Sequence, residues 1–178
     1  MVRKVSIGVF GAQGAVSEQV TSIKKTFQEN NIFGEVLVIR NKKELNEIDA
    51  LIIPGGESTT ISKILHSSGL YNDIIKRIKS RNMPIMGTCA GCVILASEIS
   101  DNCNDVKLLS AMNMRVKRNA FGRQRDSFEK NINIKGFSKT FNAVFIRAPI
   151  IEKVWGDCEV LAKIEEKIIM AREGPFLG

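Results

Sequence analysis

One histidine, His66, is all that the 178 residues contain, and cysteine is limited to Cys89, Cys92, Cys103 and Cys158. Zinc needs three or four clustered nitrogen or sulfur ligands. Cys89-x-x-Cys92 has no second pair, so no metal site is expected, and the context of a thioredoxin-like redox dithiol is missing. Reduced thiols in a cytoplasmic chain are the simpler reading. No apolar run is long enough to cross a bilayer, which argues against a membrane protein. The start, Met1-Val2-Arg3-Lys4, enters a short apolar strand at once and carries no cleavage signal, so a cytoplasmic location is expected. Internal repeats, low-complexity segments and linkers are also absent, and the length suits one domain over 1–178. Lysine and arginine outnumber acidic residues by 26 to 19, a net charge of +7. The densest basic group, Lys76, Arg77, Lys79 and Arg81, lies on a helix and has no interleaved aromatics. A solvated helix face fits it better than a nucleic-acid site, and an acidic protein partner would also suit it.

Apolar periodicity supplies the fold. Lys4–Phe10 reads as a buried strand and Ala15–Asn30 as an amphipathic helix through Val16, Val20, Ile23 and Phe27. Glu35–Arg40 is a second strand and Lys42–Ile48 a short helix. Asp49–Ile53 is a third strand, stopped by Pro54-Gly55-Gly56. Ser58 and Thr59 are placed to cap a helix through Ile61, Ile64 and Leu65. Another helix spans Leu70–Arg81. The strand Pro84-Ile85-Met86 then meets a glycine-rich turn and the apolar run Cys92–Ala96. This alternation predicts an α/β fold in three layers, a doubly wound and mostly parallel sheet with helices on both faces. Beyond Ala96 the pattern changes to short strands: Asn113–Lys117, Ile132–Phe137, Ala143–Ile146, Glu159–Ile164 and Lys167–Ala171. An antiparallel, strand-rich second half is expected, added to one edge or forming the back wall of a site.

Ligands of such sheets sit beyond the C-terminal ends of the strands. Three loops fall there: Gln13-Gly14, Gly55-Gly56-Glu57 and Gly87-Thr88-Cys89-Ala90-Gly91. The last has the Gly-x-Cys-x-Gly form of a nucleophile elbow. Its glycines allow a tight turn, and a helix N-terminus favours the thiolate over the thiol. A buried, inert cysteine on a strand–helix turn is the plain alternative. Pro54-Gly55-Gly56-Glu57-Ser58 offers outward N–H groups for an oxyanion or an anionic ligand, or is simply a turn. Arg118-Asn119-Ala120-Phe121-Gly122-Arg123-Gln124 carries arginines able to fork onto a carboxylate; a polar loop is equally consistent. In Phe145-Ile146-Arg147-Ala148-Pro149, Arg147 stands at a strand end, for a ligand or for a surface ion pair.

Together these blocks, with Gln13-Gly14-Ala15, Pro54–Thr60 and Ser127-Phe128-Glu129, resemble the class I (triad) glutamine amidotransferases. Within them the chain is most similar to the glutaminase subunits of pyridoxal 5′-phosphate synthase. The resemblance runs through nearly the whole chain. It implies hydrolysis of L-glutamine to glutamate and ammonia through a thioester on Cys89, without a cofactor. It implies an oxyanion held by the N–H groups of Ala90 and Gly56. Gly56, Glu57, Ser58, Arg118, Ile146 and Arg147 would hold the amino-acid part of glutamine. Gln13 and Gly14 would meet the synthase subunit, which would receive the ammonia within a large hetero-oligomer. The family also completes its triad with a His-Pro-Glu segment, which lies just beyond a stretch like Glu173–Gly178. His66 matches no catalytic position and reads as a half-exposed helix residue. Two further readings remain: a glutamine-binding, partner-docking but inactive subunit, and a cysteine peptidase on the same scaffold. The Arg118–Gln124 and Phe145–Pro149 blocks argue against the peptidase.

Overall fold

The computed structural model describes residues 3–101, 105–122, 125 and 127–178. Cys103, Arg123 and Gln124 lie outside the described residues. Through the first half, strands and helices alternate: β1 (Val5–Phe10), α1 (Val16–Glu29), β2 (Gly34–Ile39), α2 (Lys42–Leu45), β3 (Ala50–Ile53), α3 (Ser58–Ser67), α4 (Leu70–Ser80), β4 (Ile85–Gly87) and α5 (Ala90–Leu95). β1 pairs in parallel with β2 and with β3, and β3 with β4. Successive strand residues point to opposite faces. Val9 and Ile52 therefore pack with Ile23 and Phe27 of α1. Phe10, Leu51, Ile53 and Ile85 pack instead with Ile61, Leu65, Ile74 and Val93 of α3, α4 and α5. Helices cover both faces, which is why these strands read as continuous apolar runs.

The second half holds β5 (Ala96–Ile99), β6 (Met112–Lys117), β7 (Phe128–Ile132), β8 (Phe141–Phe145), β9 (Ile150–Val154), β10 (Glu159–Ile164), β11 (Lys167–Glu173) and β12 (Phe176–Leu177). The main sheet runs β2-β1-β3-β4-β12-β11-β9-β6-β5, with β10 on β11. β12 is parallel to β4, the β12-β11-β9-β6 steps are antiparallel, and β5 is parallel to β6. β7 and β8 form a separate hairpin over their own apolar cluster of Ile132, Ile134, Phe145, Ala162 and Ile164. The expected architecture holds: a covered parallel sheet first, then strands of mostly antiparallel pairing.

Local expectations need correction in four places. The strand expected at Ile132–Phe137 lies earlier, at Phe128–Ile132. Past Ile132 the backbone turns, with Gly136 at φ 88° and the Phe137 N–H donating to Ile134 O at 3.0 Å. The apolar run Cys92–Ala96 splits: the helix stops at Leu95, and Ala96 is already extended at ψ 156° and starts β5. β9 and β12 have no counterpart in the sequence reading; each is short and paired through distant residues. Ser58 and Thr59 are not caps. Glu57 occupies the N-cap of α3 without a side-chain cap bond, and Ser58 is the first helical residue, only 4% exposed.

Candidate active site

β4 ends at Gly87, and the chain turns at Cys89, with φ 51° and ψ −108°, before α5 starts at Ala90. A positive φ outside glycine costs about 1–3 kcal/mol and persists only where the surroundings enforce it. Here the Thr88 N–H donates to Ile53 O at 3.1 Å and the Gly91 N–H to Thr88 O at 2.8 Å. A Cβ on Gly91 would stand 2.1 Å from Ile53 O, so glycine is what lets α5 begin against β3. Cys89 is exposed at the end of this turn, whereas Cys92 and Cys158 are buried.

The loops after β1 and β3 are fastened to each other beside it. Gly14 has φ 96°, and a Cβ there would lie 1.8 Å from Gly55 O. The Ala15 N–H donates to Gly55 O at 3.0 Å, and the Glu57 N–H donates to Gln13 Oε1 at 2.9 Å. From the other side come Arg118, just past β6, and Ile146 and Arg147, just past β8. Arg118 Nη1 donates to Ser58 Oγ at 3.3 Å, which gives the buried Ser58 hydroxyl a partner. Arg147 sits at φ 47°, a second strained residue at the rim.

These parts enclose a cavity of ≈ 580 Å³. Its wall includes Gly14, Gly56, Glu57, Ser58, Cys89, Ala90, Arg118, Ile146 and Arg147, which is every expected site residue except Gln13. Gln13 stands behind, holding the Glu57 N–H. Gln19, Val93 and Val144 also line the wall, although no sequence motif marks them. Asp101 was missed as well. It accepts from Arg118 Nε at 2.6 Å, and nothing local in the sequence marks it.

The electrostatics of Cys89 differ from the expectation of a favoured thiolate. Although Cys89 as a residue is exposed to the cavity, the surrounding walls desolvate its thiol and push its pKa above that of an ordinary thiol. The N–H groups of Ala90 and Gly56 and the charge of Arg147 oppose that shift, and Glu57 adds to it. A short helix start therefore does not outweigh desolvation. The two N–H groups expected to hold an oxyanion both act on the Cys89 sulfur. Beneath it, burial pushes Cys92 up to about 12 and Cys158 up to about 11. His66 is away from this wall, on α3, stacked on Tyr71 with ring centroids 4.0 Å apart. Burial and Lys107 lower its pKa. Among the described residues there is no group of three or more His, Cys, Asp or Glu suited to a metal ion. No helix there is long and apolar enough to cross a membrane.

Comparison with known proteins agrees with this geometry. Pyridoxal 5′-phosphate synthase subunit PdxT of Actinobacillus pleuropneumoniae serotype 5b (strain L20) is 41% identical over 175 residues, covering 98% of this chain and 85% of that protein. The subunit of the same name from Anoxybacillus flavithermus (strain DSM 21510 / WK1) is 45% identical over 174 residues, covering 98% and 86%. A crystal structure of a glutamine amidotransferase superposes with a TM-score of 0.84 at 36% identity, over 96% of this chain and 86% of that one. Residues 9–178 match the profile of the SNO glutamine amidotransferase family, and the chain belongs to that family.

Proposed function

We propose that this chain is the glutaminase of a pyridoxal 5′-phosphate synthase, hydrolysing L-glutamine at Cys89 and supplying the ammonia for vitamin B6 biosynthesis. The observation that carries the reading is the strained Cys89 turn, with the N–H groups of Ala90 and Gly56 acting on its sulfur at the wall of a cavity rimmed by Arg118 and Arg147. Glutamine is a zwitterion with a neutral amide at its far end. The arginines suit its carboxylate and Glu57 its ammonium. Gly56, Ser58 and Ile146 complete the hold on the amino-acid end, which leaves the amide towards Cys89.

The Cys89 thiolate attacks the amide carbon, and the carbonyl electrons move to oxygen. Ala90 and Gly56 donate their N–H groups to that oxyanion. The C–N bond then breaks, ammonia leaves with a proton, and a glutamyl thioester remains. Water cleaves the thioester to glutamate and restores the thiol. Because burial raises the Cys89 pKa, a base must take the thiol proton as substrate binds. The family resemblance assigns that task to the histidine of a His-Pro-Glu segment; His66, stacked on Tyr71, does not line the cavity.

The synthase subunit docks at Gln13-Gly14, in a cytoplasmic hetero-oligomer. Because Gly14 and Gln13 contact Gly55, Gly56 and Glu57 directly, docking there bears on the oxyanion loop. Ammonia passes straight to the partner, which keeps it unprotonated. The reading of an inactive docking subunit is not favoured, since the relatives are named as subunits of the synthase itself. The test is glutamate release from L-glutamine by the full-length protein with its synthase subunit. Release is expected, rising when the partner is added and vanishing in Cys89→Ala. Full-length protein with partner that releases no glutamate would sink the proposal.

A further inference from the structure

We infer that Asp101 is a positioning residue for glutamine recognition: it fixes the Arg118 guanidinium so that Arg118 can take the substrate α-carboxylate. The inference rests on the glutaminase reading above, in which Arg118 touches glutamine.

The strand register sets up the pair. β5 and β6 run parallel, with Ile99 opposite Val116. Two residues further along each strand, Asp101 and Arg118 come level beyond the C-terminal ends, on the side of the cavity. Arg118 Nε donates to Asp101 Oδ2 at 2.6 Å and Nη1 to Ser58 Oγ at 3.3 Å. The guanidinium is thus held on one edge by a charge and on another by a buried hydroxyl. The Arg118 side chain is 20% exposed and that of Asp101 37%, so water screens this pair less than it would a surface ion pair.

Two observations separate this from an incidental contact. Asp101 does not line the cavity, whereas Arg118 does, so the carboxylate acts through the arginine. Asp101 Oδ1 is buried and has no hydrogen-bond partner among the described residues. A carboxylate oxygen left in that state is costly. Stability alone does not explain an aspartate there; its interaction with Arg118 does. An unheld arginine loses considerable rotamer freedom on binding a ligand. One already oriented loses less, and its planar fork meets a carboxylate in fixed geometry.

The experiment measures binding by calorimetry in the full-length Cys89→Ala protein saturated with its synthase subunit, a complex that cannot turn substrate over. The ligands are L-glutamine and L-glutaminamide, in which the carboxylate is replaced by a neutral amide. Asp101→Asn is expected to raise the glutamine Kd about tenfold, the scale of a lost charge-assisted hydrogen bond. It should leave the glutaminamide Kd within about twofold, because Arg118 gains little from a neutral group. Asp101→Glu, which restores the charge, should recover most of the glutamine affinity. In an Arg118→Ala background, Asp101→Asn should add nothing further. Equal weakening towards both ligands would overturn the inference, since that marks general structural damage. So would an unchanged glutamine Kd in Asp101→Asn while Arg118→Ala loses binding. If the parent protein binds no glutamine, the glutaminase reading fails and the inference falls with it.

Discussion

Gln13 and Glu57 are 44 residues apart, yet the Glu57 N–H donates to the Gln13 side-chain oxygen at 2.9 Å. This bond and the Ala15 N–H on Gly55 O tie the loop after β1 to the loop that supplies Gly56. Gly14 lies between them with no room for a side chain. Gly14→Ala combines an unfavourable φ of 96° with a Cβ 1.8 Å from a backbone oxygen. It is expected to destabilise the protein by about 2–4 kcal/mol and to weaken glutamine binding. Gln13→Ala removes one exposed hydrogen bond, for about 1 kcal/mol or less. Urea unfolding of the two variants tests the ordering; a Gly14→Ala midpoint equal to that of Gln13→Ala would contradict the close approach of Gly14 to Gly55.

The thiols should separate cleanly in their chemistry. Cys89 is exposed, whereas Cys92 and Cys158 are buried and raised to about 12 and about 11. Alkylation by iodoacetamide, followed by peptide mass spectrometry, is expected to modify Cys89 well before either of the others. Because burial raises the Cys89 pKa and only thiolate reacts, the Cys89 rate should keep climbing with pH past the point where a small-molecule thiol levels off. A Cys89 rate that is already flat at neutral pH would show a thiolate stabilised in the free chain.

Much of this is legible in the residues. Gly14, Gly56, Gly87 and Gly91 punctuate apolar runs, and the three loops fall at one end of a parallel sheet by topology alone. Hence Gly14, Gly56, Glu57, Ser58, Cys89 and Ala90 meet at one cavity, while Gln13 stands behind it and Arg118, Ile146 and Arg147 reach it from the second half. What the residues concealed was set by distant pairing. Asp101 follows a four-residue strand that looks like a helix end, and only the register of β5 on β6 brings it to Arg118. β9 and β12 are strands because the sheet needs them between β6 and β4. The helix at Ala90 suggested a stabilised thiolate; the walls that build the cavity overturn that by desolvation.

Alkaline pH should erode stability through the same buried thiols. An unfolded cysteine ionises near pH 8.5–9, while Cys92 and Cys158 in the fold stay protonated until about 12 and about 11. Between those limits the unfolded state binds fewer protons, so unfolding becomes easier as pH rises. The contribution is complete below the unfolded pKa and is lost as pH climbs towards the folded values. Cys92→Ala should flatten the loss between pH 9 and 11, at the expense of a small cavity near neutral pH. Denaturation midpoints of both proteins across that range decide it. Parallel curves would mean that Cys92 does not drive the alkaline loss.

The wall that carries Ile146 and Arg147 has a core of its own, and this separates binding from nucleophile chemistry. Phe145, 7% exposed, stacks on Phe128 at 4.9 Å and tilts against Phe121 at 5.2 Å. It belongs to the cluster under the β7–β8 hairpin, whereas Ala90, Cys92 and Val93 belong to the main core. Phe145→Ala is expected to cost about 3–5 kcal/mol and to release the strand end that aims Arg147. Phe145→Leu keeps most of the volume and should cost markedly less. Glutamine affinity should therefore fall in Phe145→Ala and largely survive in Phe145→Leu. The Cys89 alkylation rate should stay near that of the parent in both, because the elbow is braced by β3, β4 and α5. A Cys89 alkylation rate that rises towards that of an ordinary free thiol while affinity falls in Phe145→Ala would show instead that the two clusters unfold as one.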